Sequence, residues 1–235
     1  MSIFRTCLYM SLVAVSGCLS IDANIPSSSM ERDWEKWNDE GVTQLIHEFW
    51  IQSQYELHHR QVLAQLVKSL YLPRERFLEA GCGSGLVYQQ LVPNVMDNQN
   101  YTGIDITQNM LDIARRDYPK GSFLKDDLYH LSFADNSFEI VAAFEVLGHI
   151  RDIETPIKEM FRVASRLVVF TAWTSPSTVV TEEHIGNSHF IHTSFAPADV
   201  LKAIANAATD DYSVTTIPLN EISTAFVISI LKYDH

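Results

Sequence analysis

With 235 residues and 46% hydrophobic content, the chain is long enough for one domain with a substantial core and short for two. A net charge of −12 and the lack of any long basic run exclude an extended phosphate-binding surface, since nucleic-acid affinity rests on Lys/Arg neutralisation, and they favour a small or neutral partner. Three scattered cysteines, Cys7, Cys18 and Cys82, suit neither a disulfide framework nor a zinc site, so a reducing, cytoplasmic setting is expected and no metal.

Residues 1–29 read least like a domain. Arg5, the apolar run from Leu8 to Val15 and then Val15-Ser16-Gly17-Cys18 look like a short signal segment, too short to span a bilayer, so stable membrane insertion is not expected. The expectation is an N-terminal extension ahead of Met30, with a signal or membrane anchor as the alternative. Residues 30–72 turn helical: Val42, Leu45, Ile46, Phe49 and Trp50, then Leu63, Leu66, Val67 and Leu70, fall at three- and four-residue spacing until Pro73 stops the pattern. This segment is expected to form a helical cap, on which Tyr55, His58, His59 and Arg60 are candidates to face a pocket.

The chemistry converges on Phe77-Leu78-Glu79-Ala80-Gly81-Cys82-Gly83-Ser84-Gly85, an apolar strand with an acid near its end, three alternate glycines, and helix-compatible sequence from Leu86. Glycine permits positive φ and close approach of a ligand to main-chain N–H groups. A dinucleotide loop needs G-x-G-x-x-G, and Leu86 stands where the third glycine belongs. Glu79 would repel a pyrophosphate and favour a ligand carrying an ammonium and a sulfonium, which selects S-adenosylmethionine over NAD. Asp105, closing the next strand, suits ribose hydroxyls in either case.

From there strands and helices alternate: strand 76–80, helix 86–92, strand 101–105, helix 107–116, strands 122–125 and 138–144, helix 153–164, strand 166–172, helix 197–208, strands 212–217 and 223–231. Alternation implies an α/β fold with a mostly parallel sheet and helices on both faces. With only Pro218-Leu219-Asn220-Glu221 between the final pair, the last strand is expected to return antiparallel. Ligand then binds beyond the carboxyl ends of the strands, where Glu79, Gly81, Asp105, Asp127 and Phe144 lie.

Four segments carry a family resemblance. Glu79-Ala80-Gly81-Cys82-Gly83-Ser84-Gly85, Gly103-Ile104-Asp105, the run from Asp126-Asp127-Leu128 to Leu131-Ser132-Phe133-Ala134-Asp135-Asn136-Ser137-Phe138-Glu139, and Glu145-Val146-Leu147-Gly148-His149-Ile150 stand in the order found in class I S-adenosylmethionine-dependent methyltransferases. The chain resembles the group of that family that modifies small molecules, best over about residues 73–172. Asp126 departs from the usual glycine and Ser132 from the usual proline, and the family's K-P-G-G turn before the fifth strand is missing at Val163-Ala164-Ser165-Arg166. The resemblance implies a Rossmann-like seven-stranded sheet of order 3-2-1-4-5-7-6 over residues 73–235. It also implies a cofactor site made by Glu79, Gly81, Cys82, Gly83 and Gly85 at the methionine part, Asp105 at the ribose, and Asp126, Asp127 and Leu128 at the adenine. Ile106, Met110 and Phe144 complete its walls. Because S-adenosylmethionine is a cytosolic metabolite, it weighs against export.

Methyl transfer asks the protein for alignment, exclusion of water and sometimes removal of a proton. His149 is the candidate base, with helix capping near Asp152 as its competing role. Residues from Trp173 to Pro197 read as a long loop or lid, in which Trp173 and Phe195 are expected to cover the methyl acceptor; His184, His189 and His192 do not have metal-ligand spacing. Two other readings stand beside the methyltransferase: an NAD-binding oxidoreductase, and a catalytically idle relative that binds cofactor or a partner.

Overall fold

The computed structural model describes residue 37 and residues 40–185 and 188–231. The expected extension over 1–29 and the first residues of the helical cap lie outside the described residues. The cap consists of α1 (Glu40–Gln52) and α2 (Gln54–Leu70). Ser53 separates them because its side chain accepts the Glu56 N–H and caps the new helix. Along α2 the inward stripe is His59, Arg60, Leu63, Ala64 and Val67, an apolar face with two polar residues at its N-terminal end.

The main sheet holds β1 (Phe77–Ala80), β2 (Tyr101–Asp105), β3 (Phe123–Lys125), β4 (Phe138–Ala143), β5 (Ala164–Trp173), β8 (Asp211–Pro218) and β9 (Ser223–Leu231). Strands β6 (Val179–Ile185) and β7 (Ser188–Ser194) form a separate two-stranded sheet. The helices between them are α3 (Leu86–Leu91), α4 (Gln108–Asp117), α5 (Glu154–Val163) and α6 (Pro197–Ala207). Strand order is β3-β2-β1-β4-β5-β9-β8, which is the expected 3-2-1-4-5-7-6 once the separate hairpin is left out of the count. The first five strands pair in parallel, and β9 runs antiparallel to both β5 and β8.

Period-two alternation divides the central strands between two cores. Leu78 and Ala80, Val141 and Ala143, and Val168 and Phe170 pack on the face covered by α5 and α6. Phe77, Ile140 and Ala142, and Leu167 and Val169 pack on the face covered by α2, α3 and α4. Burial on both sides is why these strands read as continuous apolar runs. The order reverses at β1, which lies between β2 and β4, so the loop after β1 opens on the crevice where ligands of such sheets bind.

Two connections differ from expectation or explain it. The stretch from Trp173 to Pro197 is the antiparallel hairpin β6–β7, with Ile185 opposite Ser188, and not a loop. Two β-branched and aromatic runs flanking Gly186-Asn187 are the signal that announces such a hairpin. At the missing K-P-G-G turn, α5 ends at Val163 and β5 starts at Ala164. There Arg166 secures the junction by donating to both Glu75 carboxylate oxygens and to the Leu70 carbonyl. Among the described residues no helix is long and apolar enough to cross a membrane.

Candidate active site

The loop after β1 carries φ values of +73° at Gly81, +52° at Gly83 and +80° at Gly85. All three lie in the left-handed region that only glycine enters cheaply. A Cβ at Gly81 would stand 2.2 Å from Val146 Cγ2, and one at Gly85 2.9 Å from Tyr118 Cδ2, so packing demands glycine there as well. Gly83 differs, because its nearest neighbour would be Trp50 Cζ3 at 3.9 Å, leaving room for a ligand to come close to the backbone. The loop is tied to β2: the Gly81 and Cys82 N–H groups both donate to the Ile104 carbonyl at 2.8 Å.

Two acids lie at this crevice. Asp105 accepts the Gly83 N–H at 2.9 Å on one oxygen and the Thr107 N–H at 2.8 Å on the other, together with the Thr107 hydroxyl. Burial raises its carboxyl above the ordinary value against the pull of those hydrogen bonds. Glu79 is 2% exposed and accepts the Tyr101 hydroxyl at 2.5 Å. Its burial outweighs that hydrogen bond and pushes the carboxyl up to about 8, so without a cation beside it Glu79 is mostly protonated at neutral pH. The sequence suggests a standing negative charge at Glu79; in the fold it is a buried acid. The Cys82 thiol packs into the core against Gly103, so this residue offers a ligand only its backbone.

The turn after β3 is built by its own acids. The Asp126 N–H donates to the Asp105 carbonyl at 3.1 Å, which sets this turn beside the second strand's end. One Asp126 oxygen accepts the Asp127 N–H at 2.9 Å; the other accepts the Ser132 N–H at 3.0 Å and hydroxyl at 2.9 Å. The two departures from the family pattern are therefore partners: a proline at 132 would bring no N–H, and a glycine at 126 no carboxylate. Asp127 accepts the Tyr129 N–H at 2.9 Å in an Asx-type turn. Met110 and Phe144 are buried, while Ile106 and Leu128 are partly exposed.

The cap rests on the glycine loop. His47 Nδ1 lies 2.9 Å from the Ser84 hydroxyl, and His47 Nε2 faces Asp117 at 3.7 Å; with the hydroxyl donating to Nδ1, both ring nitrogens are served. The Trp50 ring lies over Gly83 and stacks with Trp37 at 6.3 Å between centroids. Of the four candidates named on α2, Tyr55 and His58 are exposed, and His59 and Arg60 are buried.

The end of β4 holds the second cluster. Glu145 has φ +57° and gathers donors from three elements: His59 Nε2 at 3.0 Å, Trp173 Nε1 at 2.7 Å and the Ser223 hydroxyl at 3.0 Å. Burial works to raise its carboxyl, but the hydrogen bond and charge of His59, with the Trp173 hydrogen bond, hold it at about 2. In the sequence Glu145 stands out only as part of a motif; its positive φ and its partners, 28 to 86 residues away, leave no local sign. His149 does not cap α5, whose first turn takes Asp152 instead: the Glu154 N–H and Thr155 hydroxyl both donate to it. It turns to the hairpin, where its Nδ1–H donates to the Ile191 carbonyl at 3.2 Å. The rings of Trp37, Trp173 and His192 stand 5.0, 5.0 and 5.3 Å from the His149 ring. Burial in that aromatic box, with His192 beside it, lowers the imidazole pKa to about 4. Gly148 makes room for the box, since a Cβ there would meet the Trp173 ring at 2.6 Å. Phe195, expected to cover an acceptor, is instead 3% exposed in the core beneath the hairpin. His184 and His189 are register partners in the hairpin, and among the described residues no cluster of metal-binding side chains is found.

A seven-stranded sheet of this order with an acid-flanked glycine loop at its switch point defines the class I S-adenosylmethionine-dependent methyltransferase fold. Residues 78–170 match the family described as a methyltransferase domain. An O-methyltransferase of Penicillium expansum is 36% identical over 104 residues, 40% of this chain and 37% of that protein. A demethylmenaquinone methyltransferase of Lactobacillus johnsonii is 32% identical over 92 residues, 37% of this chain and 38% of that protein. The matched region thus spans less than two fifths of either relative's length. Among solved structures, magnesium protoporphyrin IX methyltransferase of Synechocystis PCC 6803 with bound S-adenosylmethionine superposes at TM-score 0.61. It is 17% identical, with 90% of this chain and all of that one covered, a likeness of fold.

Proposed function

We propose that this chain transfers the methyl group of S-adenosylmethionine to a small-molecule acceptor. The observation that carries the reading is the meeting of three left-handed glycines with Glu79 and Asp105 at the point where strand order reverses. In this reading the loop from Gly81 to Gly85 and Glu79 hold the methionine part, and Asp105 holds the ribose. The turn at Asp126, Asp127 and Leu128 reads the adenine, with Ile106, Met110 and Phe144 as walls. The residues present fit this ligand: Gly83 leaves an open approach, and Glu79 supplies charge to a cation. The bound sulfonium supplies an already activated methyl group, so the protein's own work is alignment and exclusion of water.

His149 fits the acceptor side. With Nδ1–H given to Ile191, Nε2 keeps its lone pair, and a pKa near 4 keeps the ring neutral. Such a nitrogen orients an acceptor O–H or N–H by accepting its hydrogen bond and is a weak base for taking the proton outright. Residues 30–72 act as the cap and residues 73–235 as the catalytic domain, and a net charge of −12 supports a small acceptor over nucleic acid. A cytoplasmic site of action agrees with the cofactor's chemistry and with the scattered cysteines.

Calorimetry with S-adenosylhomocysteine and with NADH is the test, followed by transfer of isotope-labelled methyl to a panel of small O–H, N–H and C–H acceptors. Binding of S-adenosylhomocysteine without NADH is expected; the reverse result would mean an oxidoreductase. Cofactor binding with no transfer to any acceptor would favour an idle relative.

A further inference from the structure

The end of β4 carries a strain and a charge that orienting an acceptor does not require. Glu145 bears a side chain, yet its φ is +57°. The Thr171 hydroxyl accepts its N–H at 2.6 Å, and its carboxylate is fixed by His59, Trp173 and Ser223. Left-handed backbone at such a residue persists where the surroundings over-determine it, and such places cluster at ligand clamps. With all these donors in place, 31% of the Glu145 side chain stays open, so its charge reaches the crevice. A line of rings joins it to the glycine loop. Trp50 lies over Gly83 and stacks with Trp37, Trp37 meets His149, and His149 meets Trp173, whose Nε1 donates to Glu145. Val146, next in the chain, packs on Gly81 and closes the circuit. Three of the chain's four tryptophans stand along this line, each only partly covered.

Flat apolar walls beside a fixed carboxylate suit some acceptor atoms and not others. An alcohol or phenol has to shed a proton as it attacks, and Glu145 at about 2 and His149 at about 4 hold protons too weakly to take it well. An alkylamine arrives as an ammonium, with its lone pair already used. A pyridine-type ring nitrogen is neutral at pH 7 and offers a lone pair with no proton to remove. As that pair bonds to the methyl carbon, the C–S bond breaks and its electrons stay on sulfur, which becomes a neutral thioether. The positive charge passes to the ring, so the product is a flat, permanent cation. Tryptophan faces and an ionised carboxylate are the groups that stabilise such a charge. The surrounding charge has the same sign: Glu56 and Glu221 act with Glu145 on the half-exposed Tyr55, three carboxylates against the two cations His59 and Arg60.

We infer that the acceptor is a planar nitrogen heterocycle methylated on its ring nitrogen, with Glu145 and the tryptophan rings holding the cation that forms, a reading that rests on the proposed methyl transfer from S-adenosylmethionine. The first test is transfer of labelled methyl by the full chain to pyridine-, quinoline- and imidazole-type rings, beside phenols and alkylamines of matching size. The heterocycles are expected to lead by about tenfold or more in kcat/KM; phenols or alkylamines in the lead would overturn the inference and leave the methyltransferase reading standing. The second test needs no turnover: calorimetry of N-methylquinolinium and of 1-methylnaphthalene, the same shape without the charge, on the chain loaded with S-adenosylhomocysteine. The cation is expected to bind about tenfold tighter, and Glu145→Gln to remove most of that gap while still binding S-adenosylhomocysteine. A neutral ring bound as tightly as the cation by the unmutated chain would overturn the inference without any variant having to fold. A chain that binds no S-adenosylhomocysteine would bring down the cofactor reading itself, a result distinct from these.

Discussion

The two halves of the crevice are built by different means. On the side proposed for the cofactor, the backbone does most of the shaping: three glycines at positive φ, Gly83 held by Asp105, and a turn after β3 closed by Asp126 on Ser132. On the side proposed for the acceptor, side chains from distant segments do it: Glu145 gathers His59, Trp173 and Ser223, and His149 is boxed by Trp37, Trp173 and His192. A backbone-built site tolerates no side chain where it bends, whereas a site built of side chains can be retuned one residue at a time. The first suits a ligand shared by a whole family; the second suits an acceptor that varies within it.

The largest expected effect lies on the cofactor side. Gly81→Ala combines left-handed strain with a Cβ 2.2 Å from Val146 and should cost about 3 kcal/mol in urea unfolding. A loss under about 1 kcal/mol would mean that the loop bends freely and that the backbone does not define this half. Next comes Glu145→Gln, which leaves the buried His59 without its anion. With 31% of the Glu145 side chain still open to water, the expected loss is about 1–2 kcal/mol. It should fall on the acceptor side, raising acceptor KM more than it weakens S-adenosylhomocysteine binding. Gly148→Ala, whose Cβ would displace the Trp173 ring, should raise acceptor KM about tenfold, roughly 1.4 kcal/mol, with cofactor affinity unchanged. Equal loss of both would show that the two halves are one unit.

The smallest effect is a pH dependence of the clamp between cap and sheet. Burial lowers the His59 pKa, but the hydrogen bond and charge of Glu145 more than reverse this and leave it raised. A histidine raised in the fold adds stability that is full below its unfolded value near 6.5 and is lost as pH rises through the folded one. Glu145, held at about 2, adds stability that is full above its unfolded value of 4.5 and is lost as pH falls towards 2. The clamp is therefore complete between these windows. The melting temperature should fall more from pH 6 to pH 8 in the unmutated chain than in His59→Gln, by an amount worth under about 1 kcal/mol. Identical slopes would remove His59 from the clamp.

The same division explains what the amino-acid sequence revealed. Glycines that bend a loop, an acid closing a strand and apolar runs buried on two faces are local patterns, and they foretold the mostly parallel sheet and the bend after β1, whereas the strand order followed from the family resemblance. The departures at Asp126 and Ser132 were visible separately, but their pairing across six residues was not, since it needs the turn to fold first. The Glu145 cluster was out of reach because its partners meet only after β4, β5, β9 and α2 have packed. The hairpin β6–β7 was within reach through Gly186-Asn187 and was lost to the count of Thr, Ser and His around it.

The charge of Glu79 is the point on which the cofactor side turns, and calorimetry of S-adenosylmethionine binding at pH 7, in buffers of different ionisation enthalpy, reads it directly. A carboxyl standing at about 8 in the free protein must ionise to meet a cation, so close to one proton should leave per ligand bound, and none from Glu79→Gln, which should also bind more weakly. Binding without proton release, at an affinity that Glu79→Gln leaves untouched, would show that this acid takes no part in holding the ligand.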